Sequence, residues 1–156
     1  MFLFHFFGDL YMPLYVEGYE KGGNGVDVAF KGHKDNLHNM PYKINAIRYR
    51  LKYNDKKLNK YRPTSAVECV DVTNPHTYIM QWAEETNLLN RAVVFKRGIP
   101  YLTSEDLGGE YYDDAVPVIA EQIVKAGVRL AAWINALAEQ RRAKTGDPMR
   151  ELWGWS

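Results

Sequence analysis

Cys69 is the chain's one cysteine, so no disulfide within it can staple the fold. Charge of one sign is just as scarce. Lys and Arg number 20 against 19 Asp and Glu, and the formal net charge of +1 excludes a surface that binds polyanions by bulk charge. Two local basic stretches, Lys52 to Lys60 and Arg141-Arg142-Ala143-Lys144, read as solvated faces or helix ends. No apolar run approaches the roughly 20 residues needed to span a bilayer. The apolar start Met1-Phe2-Leu3-Phe4-His5-Phe6-Phe7 lacks a basic lead and is broken at Gly8-Asp9, so it does not read as a signal peptide. As written, the chain is expected to stay in the cytoplasm. It shows no internal repeat, no low-complexity segment and no N-glycosylation sequon.

What remains is a 156-residue chain of ordinary apolar and charged content, enough for one domain with a buried core. Its pattern is mainly α. Met1 to about Tyr11 is apolar nearly all round and reads as a buried helix, with Pro13 disfavouring its continuation. Met12 to Lys21 reads as irregular, and Gly22-Gly23-Asn24-Gly25 as a turn. Val26 to Phe30 alternates as a short strand or one arm of a small hairpin, and Lys31 to Tyr42 reads as loop. A helix is expected within Ile44 to Leu58, and irregular chain over Tyr61 to Asn74. Asn74-Pro75 fits a cap with proline at the first helical position, opening a helix to about Phe95 that Gly98 and Pro100 end. Ser104 is the expected cap of the last helical region. From about Tyr111 to Arg142, Val116, Ile119, Ile123, Ala126, Leu130, Trp133 and Leu137 recur at helical spacing. Pro117 kinks this helix or starts a second one, and Gly127 fits close helix packing. Residues 143–156 read as a disordered tail.

Chemistry concentrates near the start. His5 and Asp9 lie one helical turn apart on a common face, and both are metal-ligand types. A second histidine, His38, follows the glycine turn. Two ligands on a helix and one on a later loop begin an oxygen and nitrogen metal site. His33 and Asp35 lie close to His38 in sequence, and His76 reads as a surface residue in a helix's first turn. Tyr111, Tyr112, Trp82 and Trp133 have the ring faces to stack bases, but their helical spacing favours the core.

The blocks His5-Phe-Phe-Gly-Asp9, Met12-Pro-Leu-Tyr15, Gly22-Gly-Asn24 and Asn36-Leu-His38 resemble, in order and spacing, the zinc-dependent single-strand-specific nucleases of fungi and plants. Trp82-Ala-Glu-Glu85 and Ala126-Gly-Val-Arg-Leu-Ala131 with Ile134-Asn135 extend the likeness over about residues 4 to 137. That corresponds to the C-terminal half of a family member. The resemblance implies a helical bundle of the phospholipase C/nuclease type, with residues 1–142 as a partial nuclease domain. It also implies a site of three zinc ions. His5 would be a ligand of one paired zinc, Asp9 the carboxylate shared by the pair, and His38 a ligand of the third zinc. Lys21 and Asn24 would lie at the base-binding pocket. Two ligand positions depart from the family: Tyr15 stands where it has a zinc-binding histidine, and Tyr42 where it has a zinc-binding aspartate. Arg91 stands in place of a family cysteine. The other ligands, and the catalytic base, belong to the family's other half. This chain is therefore expected to bind fewer zinc ions or none.

Three functions compete. The first is a zinc-dependent endonuclease hydrolysing single-stranded DNA or RNA and releasing 3'-phosphate from nucleotides, impaired in this chain and completed by ligands from elsewhere. The second is a non-catalytic module that binds nucleic acid or protein without zinc. The third is a truncated product whose uncovered apolar face, with Phe2, Phe4, Phe6 and Phe7, drives self-association. Proteins of this family are typically secreted or vacuolar. No membrane partner is expected.

Overall fold

A computed structural model describes residues 2–41 and 71–145. Within them the fold is mainly helical. Helix α1 (Phe2–Leu10) leads into α2 (Pro13–Glu17), a glycine turn, and a hairpin of β1 (Asp27–Phe30) and β2 (His33–Asn36). A single 3-10 turn (Leu37–Asn39) follows. Then come α3 (Pro75–Leu89), a π-helical turn (Asn90–Val94), α4 (Gly98–Ser104) and the long α5 (Glu110–Thr145). The expected helix over Ile44 to Leu58, the Lys52 to Lys60 stretch, Tyr42, Cys69 and residues 146–156 of the tail lie outside the described residues. No described helix is long and apolar enough to cross a membrane.

Helix α1 is a half-buried helix rather than one buried all round. Phe7 is buried, whereas His5 is exposed and Phe6 is 64% exposed. Phe7 therefore leaves the set of expected uncovered phenylalanines and Phe6 stays in it. The side chains of Phe2 and Phe4 are not described. Phe7 packs with Tyr11, Trp82 and Trp133 in an aromatic core whose rings meet at centroid distances of 5.8 to 6.5 Å. Beyond Leu10, Pro13 does more than end a helix. It opens α2 at the first helical position, where the missing N–H costs nothing, and left-handed Gly18 (φ 74°) closes it.

Buried polar groups cross-link these helices. The Arg129 guanidinium donates from Nη1 to the Tyr11 hydroxyl at 3.0 Å and meets the Glu85 carboxylate at 2.9 Å through Nη2, with its Cζ 5.0 Å from the Trp82 ring centroid. The Gln122 amide donates to Thr86 Oγ1 at 3.3 Å and to the Tyr11 carbonyl at 3.5 Å. The Asn90 amide, at the start of the π turn, donates to the Pro13 carbonyl at 2.7 Å and so fixes the entry of α2. Helices α1, α2, α3 and α5 are joined by hydrogen bonds that no local pattern specifies.

A second, aliphatic core lies under the hairpin: Leu14, Val28, Phe30, Leu37, Met40 and Leu102, with neighbours from α5. His33 to Asn36, expected as loop, is the second strand, pairing Asp27 with Asn36 through Phe30 with His33. The tight turn between the strands needs positive φ at both central residues, Lys31 (51°) and Gly32 (78°). Lysine tolerates this poorly. Here the Asp106 carboxylate accepts the N–H groups of Lys31 (2.8 Å), Gly32 (2.6 Å) and Gly108 (2.7 Å) and holds the turn from 75 positions away.

Other expectations shift at helix ends. Asn74 precedes Pro75, but its side chain makes no capping bond. Pro100 lies inside α4 and Ser104 ends that helix instead of capping the next. Helix α5 runs through Pro117 as one element to Thr145. Gly127 is exposed, and a Cβ added there meets nothing within 4 Å, so close packing is not its reason.

Three outcomes follow from these contacts. Gly127→Ala is expected to raise stability by about 0.5–1 kcal/mol, read as a higher urea midpoint, because only backbone freedom is lost. Asp106→Asn should lower the melting temperature at pH 7. The three backbone N–H groups, Gly32 first, hold the Asp106 carboxyl below its ordinary value of 3.8, so its stabilisation is present above that value and lost as pH falls through the lowered one. Melting curves of the two proteins should accordingly converge below about pH 4. Burial pushes the Tyr11 hydroxyl from 10.0 up to about 12. The stability gained from a neutral Tyr11 is complete below pH 10 and lost as pH rises through 12. Tyr11→Phe should cost about 1.5 kcal/mol near pH 8 by removing one of the Arg129 partners, yet show a flatter decline over that alkaline window in denaturant titrations.

Candidate metal centre

Helix α1 sets His5 and Asp9 one turn apart, with His5 Nε2 3.5 Å from Asp9 Oδ2. The His5 side chain is 79% exposed and that of Asp9 34%. An imidazole nitrogen and a carboxylate oxygen on one face are a donor pair suited to zinc. Both residues line a cavity of about 510 Å³. Its other walls are largely aliphatic: Met12, Leu37 and Met40 on one side, and Val118, Ile119 and Ile123 of α5 on the other. Phe7, on the opposite side of the same helix, packs into the aromatic core and so fixes the face that α1 turns toward this cavity; Tyr11, just past the helix, lines the cavity as well.

Tyr15 also lines the cavity, and His38 stands against Tyr15 at a corner made by the glycine turn. His38 Nδ1 lies 3.0 Å from the Gly22 carbonyl, and His38 Nε2 lies 3.1 Å from the Tyr15 hydroxyl. The two rings meet edge to face at 5.1 Å. The glycine turn makes this corner. Gly22 (φ 70°) and Gly23 (φ 84°) are left-handed, and a Cβ on Gly23 would come within 3.1 Å of the His38 backbone nitrogen. Sequence reading of the turn as mere punctuation missed that closeness. Only the paired φ values show it.

Lys21 and Asn24 are exposed on the same turn, and the Asn24 amide donates to the Lys21 carbonyl at 2.9 Å. Asp35, near His38 in sequence, is used locally: its Oδ1 accepts the Asn36 N–H at 2.8 Å and the Asn39 amide at 2.9 Å. His33 is exposed on β2, and His76 is exposed in the first turn of α3. Trp82, Trp133 and Tyr111 are buried in the cores. Tyr112 lies under Lys31, whose ammonium is 5.1 Å from the ring centroid. Tyr42 lies outside the described residues. Among the described residues no group of three or more His, Cys, Asp or Glu side chains could hold a metal ion. The His5–Asp9 pair fits zinc as part of a site, and the ligand set is incomplete within the described residues.

The family model described as S1/P1 Nuclease matches residues 1–139. The chain is 37% identical over 160 residues to Nuclease S1 of Aspergillus oryzae, covering 89% of this chain and 54% of that protein. It is 34% identical to Nuclease P1 of Penicillium citrinum, covering 92% and 58%. It is 32% identical to Endonuclease 1 of Arabidopsis thaliana, covering 94% and 51%. The chain thus spans about half the length of the curated relatives it matches. Similarity along nearly all of its own length, on a mainly helical fold with one small hairpin, shows that this chain belongs to the S1/P1 nuclease family.

Proposed function

We propose that this chain carries one side of a zinc-dependent nuclease site that hydrolyses phosphodiester bonds in single-stranded DNA or RNA, with His5 and Asp9 as metal ligands. The observation that carries this reading is their shared face on α1, with 3.5 Å between ring nitrogen and carboxylate at an apolar cavity, in a chain of this family. Zinc bound there would supply a Lewis acid for the phosphate and a water of lowered pKa. The chain's own residues supply placement. His5 offers an exposed imidazole nitrogen, and Asp9 a carboxylate close enough to share its ion. Val118, Ile119 and Ile123 line the cavity with aliphatic side chains. Lys21 and Asn24 present a cation and an amide on the nearby exposed turn for phosphate or base. The remaining ligands and the base come from residues beyond the described ones. The activity is weaker than that of a complete family site for that reason.

A second reading is a module that binds single-stranded nucleic acid or protein without metal; what favours it is His38, whose ring nitrogens contact the Gly22 carbonyl and the Tyr15 hydroxyl. Exposed Phe6, Leu88 and Ile123 also give it apolar surface for self-association.

The two separate in one assay of the purified chain with added zinc and labelled single-stranded and duplex DNA. The nuclease reading expects cleavage of the single strand that chelator abolishes and that Asp9→Ala lowers by at least about 100-fold. Binding of single strands that persists in chelator, with no cleavage at any zinc concentration, would establish the module instead.

A further inference from the structure

The corner that holds His38 has chemistry of its own. A carbonyl only accepts, so the 3.0 Å contact with the Gly22 oxygen requires the proton of neutral His38 to sit on Nδ1. Nε2 then carries the lone pair. At 3.1 Å from it stands the Tyr15 hydroxyl, which donates. The lone pair that would coordinate a metal is therefore the one that accepts the Tyr15 hydrogen bond.

We infer that the Tyr15–His38 hydrogen bond is a metal-free tie that replaces coordination at this corner and confines any zinc held by the chain to the His5–Asp9 side. Its two ends come from different elements, Tyr15 from α2 and His38 from the 3-10 turn after β2. The chain between them folds tightly under the pair. A Cβ on Gly22 would lie 3.4 Å from the Tyr15 ring and 3.8 Å from His38 Nδ1. The Gly22 carbonyl, the imidazole and the phenol thus form one hydrogen-bonded line from turn to helix.

A metal entering at His38 would have to break the Tyr15 bond, and tyrosine is a poor replacement ligand because its hydroxyl keeps its proton near neutral pH. The carboxylate nearest in sequence, Asp35, already uses Oδ1 to accept the Asn36 N–H and the Asn39 side-chain amide. Among the described residues His5 faces no such competitor. Its polar contact is with Asp9, the residue that would share its ion. The choice of His5 and Asp9 as zinc ligands rests on the proposed function, whereas the tie stands on the geometry of Tyr15, Gly22 and His38 alone.

The test is nitrogen-detected histidine NMR of the 15N-labelled chain, titrated with zinc chloride. Without metal, His38 should show the Nδ1–H form with Nε2 as acceptor, and its signals should stay in place through the first equivalent of zinc while those of His5 move. Tyr15→Phe should shift the His38 Nε2 resonance and lower the melting temperature by about 3 °C, the effect of losing one hydrogen bond in a domain of this size. Tyr15→His should introduce a zinc-dependent rise in melting temperature at this corner, accompanied by movement of His38 signals. Movement of His38 with the first equivalent of zinc in the unaltered chain would overturn the tie, as would an unchanged Nε2 resonance in Tyr15→Phe. If His38 behaves as expected but His5 ignores zinc, the tie stands and the nuclease reading loses its metal ligand.

Discussion

The Arg129 guanidinium is the group on which the geometry of the candidate site depends. It donates to the Tyr11 hydroxyl just past α1, pairs with Glu85 of α3, lies over Trp82, and comes from the middle of α5. A buried cation needs every one of these partners, because an unpaired charge out of water costs several kcal/mol. Satisfying it fixes the rotation of α1 about its axis. Phe7 must point to the aromatic core, which leaves His5 and Asp9 on the cavity side of the helix. The candidate ligands are thus set by a cation that never touches them.

The hairpin depends in the same way on one remote carboxylate. Asp106 accepts backbone N–H groups from Lys31 and Gly32, whose left-handed conformations would otherwise be unfavourable at lysine. Backbone pairing adds to this, since the Leu107 N–H donates to the Ala29 carbonyl at 2.8 Å. The hairpin carries the chain on to the 3-10 turn and His38. The loop after α4 therefore steadies the corner at which Tyr15 and His38 meet.

Two kinds of polar chemistry separate the candidate metal centre from the glycine-turn corner. On α1, an exposed nitrogen and a half-buried carboxylate share a face. At the glycine turn, a histidine is committed through both ring nitrogens, one to a carbonyl and one to a phenol. Tyr15 gives His38 Nε2 a hydroxyl proton as its partner. That contact ties the 3-10 turn to α2.

Much of this was legible in the residues. The heptad-like recurrence from Val116 to Leu137 marks α5, Asn74-Pro75 marks the start of α3, and the spacing of His5 and Asp9 puts them on one helical face whatever surrounds them. Family membership was also legible, because blocks of residues in fixed order survive without reference to contacts. What the chain alone left undecided is everything set by partners distant in sequence. His33 to Asn36 has no strand alternation and becomes a strand because Asp106 and β1 hold it. Phe7 is buried and Phe6 is not, although both are phenylalanine in one apolar run, because only Phe7 faces Trp82 and Trp133. Local periodicity fixes which residues share a face, since it follows from backbone geometry. Tertiary packing decides what that face meets, and hence that His5 opens on a cavity while His38 is closed by Tyr15.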